Sequence, residues 1–101
     1  MRVLLVCYAG MSTGILMKKM REYALEKQIP LEMDAVPLTE LVDNYEGADI
    51  ILLGPQVRYA LGECEKTVDN KIPVIVIDSR DYGLMNGKAV LDKVLKTLNK
   101  E

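Results

Sequence analysis

Histidine is missing from this 101-residue chain, and its absence excludes several kinds of chemistry at once. A cysteine–histidine hydrolase cannot be assembled within the chain, because no imidazole is present to activate the thiol. Zinc sites lose their most frequent nitrogen ligand, so we predict no metal. The two cysteines, Cys7 and Cys64, do not form a C-x-x-C pair, and thioredoxin-type exchange therefore lacks its resolving thiol.

Long apolar runs, basic charge and paired cysteines are also absent. No apolar run approaches the roughly 20 residues that cross a bilayer, so we predict no direct membrane insertion. The net charge of −2 argues against a nucleic-acid partner. The N-terminus enters an apolar strand with no signal-peptide pattern, and two distant cysteines make no disulfide framework, which predicts a reducing, cytoplasmic setting. The length predicts one domain, residues 1–101. We expect no cofactor.

Short apolar segments alternate with amphipathic ones along the chain. The apolar segments, which predict strands, are Val3–Cys7, Leu31–Val36, Asp49–Leu53 and Pro73–Ile77. The amphipathic segments, which predict helices, are Ile15–Lys27, a short stretch beginning at Pro37, a stretch from Pro55 to Val68, and a closing stretch marked by Leu91, Val94, Leu95 and Leu98. We expect a loop from Asp78 to Gly83.

This alternation predicts an α/β fold with a four-stranded parallel open sheet and helices on both faces, flavodoxin-like in form. Strand order 2-1-3-4 with right-handed crossovers is the simplest arrangement. In such sheets a ligand site lies beyond the carboxyl ends of the strands, here between the first and third. Cys7, the turn Gly54-Pro55-Gln56 and the Asp78–Gly83 loop would then meet at one edge. Ordinary turn chemistry also explains these later residues, and it is the favoured interpretation for Asp78 and Asp81.

Cys7 is the strongest candidate for a functional residue, because it ends the first strand just before a loop and a helix. The loop residues are Tyr8, Ala9, Gly10, Met11, Ser12, Thr13 and Gly14. Backbone N–H groups of the helix's first turn and the positive end of its dipole favour an anion there. The same field favours the nucleophilic thiolate form of a cysteine. The competing interpretation is a small apolar residue that merely ends a strand. Gly10, Ser12 and Thr13 favour the functional one.

Three segments resemble the enzyme IIB proteins of the sugar phosphotransferase system, lactose/cellobiose type. The segment from Cys7 to Thr13 resembles that family's active loop, C-x-x-G-M-S-T. Leu52–Gln56, followed by Tyr59, is similar to a second characteristic segment. Ile77–Ser79, followed by Tyr82 and Gly83, is similar to a third. Together they extend the resemblance from Val3 to Gly83.

The resemblance implies a phosphotransferase that works through a phosphocysteine. Cys7 would accept a phosphoryl group from a phosphohistidine of a IIA partner. It would then donate the group to a sugar of the cellobiose, lactose or chitobiose class at a membrane IIC partner. Gly10 would let the loop approach the phosphate, and backbone N–H groups from Tyr8 to Gly14 would surround it. Ser12 and Thr13 would add donors or cap the helix.

The resemblance also suggests neighbours for this loop and shows two departures. Gly54, Pro55, Gln56, Asp78 and Tyr82 are the residues expected nearby. Where this chain has Tyr8 the family more often has a small residue, and where it has Gly14 serine is frequent. Both departures lie at the rim of the loop, so they bear on the partner or sugar subgroup.

Two other functions compete with a phosphocarrier. A cysteine phosphatase or arsenate reductase would share the nucleophilic thiol, but phosphatases carry an arginine six residues after the cysteine, where this chain has Thr13. A non-catalytic anion-binding regulatory module would not need Cys7 at all.

Four further residues have ordinary structural interpretations. Cys64 lies on an apolar helix stripe and is expected to be a buried, unactivated thiol. Lys18, Lys19 and Arg21 are expected to form a solvated face, with docking of an acidic or phosphorylated partner as the less favoured alternative.

Overall fold

A parallel sheet of four strands organises the fold in the computed structural model, which describes residues 1–8 and 13–100. The strands are β1 (Arg2–Cys7), β2 (Glu32–Pro37), β3 (Ile50–Leu53) and β4 (Val74–Val76). Their spatial order is β2-β1-β3-β4, and every pairing is parallel. The predicted sheet, with its strand order, is therefore confirmed.

Two layers of helices cover this sheet. The helices are α1 (Thr13–Glu26), α2 (Leu41–Asn44), α3 (Leu61–Thr67), α4 (Ser79–Gly83) and α5 (Gly87–Thr97), with 3₁₀ turns at Leu38–Glu40 and Pro55–Ala60. Predicted and observed boundaries differ at several ends: Pro37, for example, closes β2 and the 3₁₀ turn begins one residue later. None of these helices is long and apolar enough to cross a bilayer, within the part of the chain that the structure describes.

Alternate residues of β1 feed two separate hydrophobic clusters. Val3 and Leu5 pack with α1 and α5, in a cluster that also holds Met17 and Met20. Leu4 and neighbouring apolar residues pack with α2 and α3 on the other face. Because both faces are covered, the β1 residues from Val3 to Val6 and all of β3 are fully buried.

The prediction of a loop from Asp78 to Gly83 is wrong, because Ser79–Gly83 forms the short helix α4. The Asp78 carboxylate accepts hydrogen bonds from the backbone N–H groups of Arg80 at 2.8 Å and Asp81 at 3.2 Å. This N-cap satisfies donors that the first helical turn leaves unpaired. Tyr82 points inward and is 6% exposed. A cap and one buried ring stabilise a helix too short to show a periodic pattern.

Candidate functional site

Cys7 is the last residue of β1 and lies level with Pro37 of β2. Its side chain is 3% exposed, and Sγ donates to the backbone carbonyl oxygen of Val36 at 3.9 Å. The thiol is therefore enclosed between neighbouring strands at the carboxyl edge of the sheet. This is the position predicted for a ligand site in a parallel α/β sheet.

The predicted phosphate loop is described only at its two ends. Tyr8 follows Cys7 and is 72% exposed, so its ring is available at the rim. Thr13 begins α1 and is 1% exposed, whereas Gly14 is exposed. Ala9, Gly10, Met11 and Ser12 lie outside the described residues. The first turn of α1 thus starts six residues after the thiol.

The turn after β3 comes to the same edge as Cys7. The Gly54 N–H donates to the Val6 carbonyl oxygen at 2.8 Å, which places Gly54 beside the residue that precedes the thiol. Pro55 starts the following 3₁₀ turn and is half-buried, and Gln56 is exposed. The predicted meeting of the first and third strand ends is confirmed.

Gln56 and Tyr82 both approach Gly54. A Cβ built on Gly54 would lie 2.9 Å from Gln56 Oε1 and 3.9 Å from Tyr82 Cε2. A side-chain amide and an aromatic ring therefore flank the glycine that adjoins the end of β1. The Tyr82 ring reaches this position from α4, because only two residues separate that helix from the last sheet strand.

Asp78 lies at this edge, but its side chain has a structural role. Its exposed carboxylate caps α4, as described above, and Asp81 contributes one of the N–H groups that it accepts. The turn interpretation favoured from sequence thus accounts for Asp78.

Cys64 and Arg21, which the sequence also singled out, have structural roles. Cys64 of α3 is 1% exposed, and burial, with smaller contributions from Glu63 and Glu65, raises the pKa of its thiol. The prediction of a buried thiol is confirmed. Arg21 is exposed, yet its Nη2 donates to the Met33 carbonyl oxygen at 3.0 Å, so it links α1 to β2 rather than only facing solvent.

Sequence reasoning missed the Val36 carbonyl oxygen, the hydrogen-bond acceptor for Cys7. The two residues are 29 positions apart, and any residue type supplies such an oxygen. No sequence signal could have identified it, because strand register alone brings the two groups together. Among residues 1–8 and 13–100, no three His, Cys, Asp or Glu side chains are grouped so that they could hold a metal ion.

Comparison with known proteins points to one family. Residues 2–93 match the sequence profile described as PTS system, Lactose/Cellobiose specific IIB subunit. The chain is 36% identical over 98 residues to the oligo-beta-mannoside-specific EIIB component of Bacillus subtilis, covering 96% of this chain and 95% of that protein. It is 35% identical over 103 residues to the galactose-specific EIIB component of Lactococcus lactis subsp. cremoris, and 34% identical over 103 residues to the cellobiose-specific EIIB component of L. lactis subsp. lactis. Both comparisons cover 96% of this chain and 95% of the relative.

Solved structures agree with this comparison. The solution structure of a cellobiose-specific phosphotransferase IIB component protein from Borrelia burgdorferi superposes with a TM-score of 0.80 at 38% identity, covering 98% of this chain and 92% of that one. The lactose-specific IIB domain from Streptococcus pneumoniae has the same fold, with a TM-score of 0.83 at 22% identity and 95% coverage of both chains.

Proposed function

The chain belongs to the lactose/cellobiose-specific IIB family of the phosphotransferase system, and on that premise we propose that it is a phosphocarrier using Cys7. Cys7 accepts a phosphoryl group from a phosphohistidine of a cytoplasmic IIA partner. It donates the group to a sugar of the cellobiose, lactose or chitobiose class at a membrane IIC partner. The observation that supports this role is the position of the thiol, at the carboxyl end of β1 and six residues before α1 begins.

Both transfers are displacements at phosphorus. In the first, Cys7 Sγ attacks, the S–P bond forms and the P–N bond to the partner's imidazole breaks. The imidazole nitrogen leaves with the electron pair and takes up the proton that the Cys7 thiol releases. In the second, a sugar hydroxyl oxygen attacks, the O–P bond forms and the S–P bond breaks. The thiolate leaves, and the hydroxyl proton passes to a base of the membrane partner or to water.

The phosphoryl group would be held mainly by backbone donors of the loop from Tyr8 to Gly14. Gly10 would permit close approach, and the hydroxyls of Ser12 and Thr13 would add donors or cap α1. The Gln56 carboxamide lies beside Gly54, with its oxygen 2.9 Å from where a Gly54 Cβ would be, and its N–H groups would be the donors offered to a phosphate oxygen. Placement of Gln56 and Tyr82 next to Gly54 supports their assignment as neighbours of the phosphate.

We assign no sugar selectivity to this domain. Its three curated relatives are named for three different sugars, although each is 34–36% identical to this chain over nearly the whole length. Similar carriers therefore serve different sugars, as expected if the membrane partner selects the sugar. We place the protein in the cytoplasm, where the IIA donor would meet it.

Phosphorylation by a purified phospho-IIA partner tests the assignment of the thiol. Intact-mass spectrometry should show one added phosphoryl group on the wild type and on Cys64→Ser, and none on Cys7→Ser. A serine hydroxyl is not ionised near pH 7, so it is a poor nucleophile without a base. Cys64→Ser is the matched control, because it makes the same substitution at a buried thiol on α3. A phosphorylated Cys7→Ser protein would disprove the assignment.

The role of the loop backbone has its own test. Gly10→Val should slow phosphorylation much more than it lowers the melting temperature, because a β-carbon would obstruct close approach of the loop to phosphate. Phosphorylation at the wild-type rate would show that Gly10 is only a convenient loop residue.

Hydrolysis assays separate the carrier from a phosphatase. Thr13 stands where phosphatases have an arginine clamp, and the chain has no histidine to activate water. We expect negligible turnover of aryl phosphates and a phosphoprotein stable enough to isolate. Steady multiple-turnover hydrolysis that Cys7→Ser abolishes would instead establish a phosphatase.

A further inference from the structure

A groove of about 860 Å³ lies between the last turn of α1 and the second half of α5, away from Cys7. Its apolar lining consists of the Tyr23 ring, Ile29 and Leu95, of which Leu95 is 8% exposed. Its cationic lining consists of Lys27, Lys93, Lys96 and Lys100. We call the whole groove, with its apolar and cationic lining, the lysine groove. The groove thus combines an apolar floor with a cationic rim.

The lysine groove and the proposed phosphoryl site lie at opposite edges of the sheet. Ile29 comes just before β2 begins, and the neighbouring Pro30 carbonyl oxygen accepts a hydrogen bond from the Met1 amino group at 3.3 Å. Met1 immediately precedes β1, whereas Cys7 ends it. An occupant of the groove would therefore leave the Cys7 edge uncovered.

The positive charge of the groove is not neutralised within the described chain. None of its four lysines forms a salt bridge with any of the described residues, 1–8 and 13–100. Asp92 is the one carboxylate among the described residues of the lining, and its Oδ1 accepts a hydrogen bond from the Tyr23 hydroxyl at 2.9 Å. Among the described lining residues four lysines accompany one aspartate, on a protein whose net charge is −2, and Glu26, whose charge also acts on Tyr23, lies close by. An anionic occupant would relieve the mutual repulsion of the lysines.

The arrangement of the lysines favours an extended anion over a single phosphate. Lys93 and Lys96 are one turn apart on α5, while Lys27 and Lys100 follow the ends of α1 and α5. Compact phosphate sites instead converge backbone N–H groups or arginine forks on one point. A bilayer fits less well, because the apolar residues form the recessed floor, whereas membrane-binding surfaces present apolar side chains outward.

We propose that the lysine groove binds an acidic polypeptide segment of a protein partner. Carboxylates of that segment pair with the lysine rim, and an apolar side chain contacts Ile29 and Leu95. Docking and phosphoryl transfer then use different surfaces, so the carrier can stay attached while its Cys7 edge meets donor or acceptor. The binding itself does not depend on whether Cys7 carries phosphate.

Fluorescence anisotropy with a short labelled peptide, rich in glutamate and containing spaced leucines, tests this proposal on the full chain. The groove variant is Lys27→Gln/Lys93→Gln/Lys96→Gln/Lys100→Gln. The matched control, which removes the same charge at exposed cationic residues elsewhere, is Arg58→Gln/Lys66→Gln/Lys71→Gln/Arg80→Gln. We expect the groove variant to bind roughly tenfold more weakly, from four solvated charge pairs at a few tenths of a kcal/mol each. The control should bind like the wild type, and added salt should weaken binding.

Several results would overturn the proposal. These are equal losses in both variants, equal binding of a peptide with glutamine in place of glutamate, or displacement of the peptide by inorganic phosphate at comparable concentration. If the wild type and the control variant sediment with phosphatidylserine vesicles, the groove variant does not, and none of them binds the peptide, the groove is a membrane-binding surface instead. Phosphorylation of the groove variant by phospho-IIA provides a separate readout. It should stay at the wild-type rate, so a failure of Cys7 chemistry cannot be mistaken for a failure of docking.

Discussion

Replacement of Gly87 by alanine tests how closely α5 approaches α1. Gly87 is the first residue of α5 and is buried against the other helix. A Cβ at this position would lie 2.7 Å from both Lys19 C and Met20 N, and 2.8 Å from Lys19 Cβ. Two of these three atoms belong to the α1 backbone, so no side-chain rotation can relieve the overlap.

The cost follows from the distance by which the helices must separate. Carbon atoms in contact prefer about 3.5–4.0 Å, so the two backbones must move apart by about 1 Å at this point. That movement loosens the apolar cluster in which Met20 packs with Leu91 and Val94. Overpacking a well-packed core lowers the free energy of unfolding by about 1–3 kcal/mol. Because the overlap here is with backbone atoms, we expect Gly87→Ala to lower it by about 2–3 kcal/mol. For a domain of this size, the melting temperature should fall by roughly 10–20 °C.

Thermal and urea unfolding followed by circular dichroism measure this effect, with Gly62→Ala as the matched control. Gly62 is exposed in α3, and a Cβ there has no described atom within 4 Å. The same substitution should therefore stabilise the protein by about 0.5–1 kcal/mol, the usual gain of alanine over glycine in a helix. A Gly87→Ala protein as stable as the wild type would refute the reasoning from close helix approach.

Three further predictions concern single side chains. Gln28 follows α1 with φ of 59°, a conformation that favours glycine, so Gln28→Gly should raise stability by about 0.5–1 kcal/mol in the same unfolding assay; a loss would contradict this. The hydrogen bond to Asp92 is the main cause that raises the pKa of Tyr23, so Asp92→Asn should lower that pKa in an ultraviolet titration referenced to Tyr23→Phe. Because the pKa of Tyr23 is higher in the folded state than in the unfolded chain, this residue stabilises the fold below pH 10, and the contribution is lost as pH rises through the pKa of the folded state. The wild type should therefore lose more stability than Asp92→Asn at alkaline pH. Burial raises the pKa of Cys64, so in Cys7→Ser this thiol should react with a thiol reagent only as fast as the protein unfolds; rapid native labelling would contradict it.

Local sequence patterns were sufficient to predict the sheet and the position of Cys7 at its edge. β1 and β3 are continuous apolar runs because both of their faces are covered, and alternation with amphipathic segments leads to parallel order. Chain connectivity then puts the end of β1 beside the turn at Gly54, as predicted. Helix α4 was not predictable in the same way, since five residues span too few turns for a periodic signal and the helix depends on its Asp78 cap and the buried ring of Tyr82.

The sequence by itself thus determined the strand order, the two-sided core and the edge at which Cys7 lies, because these follow from apolar patterns within short segments and from the order in which the segments alternate along the chain. Tertiary structure alone decided which groups meet across long separations. The Val36 carbonyl oxygen reaches Cys7 through strand register, the backbone of α1 meets Gly87 through the close helix approach, and the lysine groove forms where the ends of α1 and α5 converge. Such contacts depend on how the formed helices and strands pack against one another, and that geometry cannot be read from the residue types along the chain.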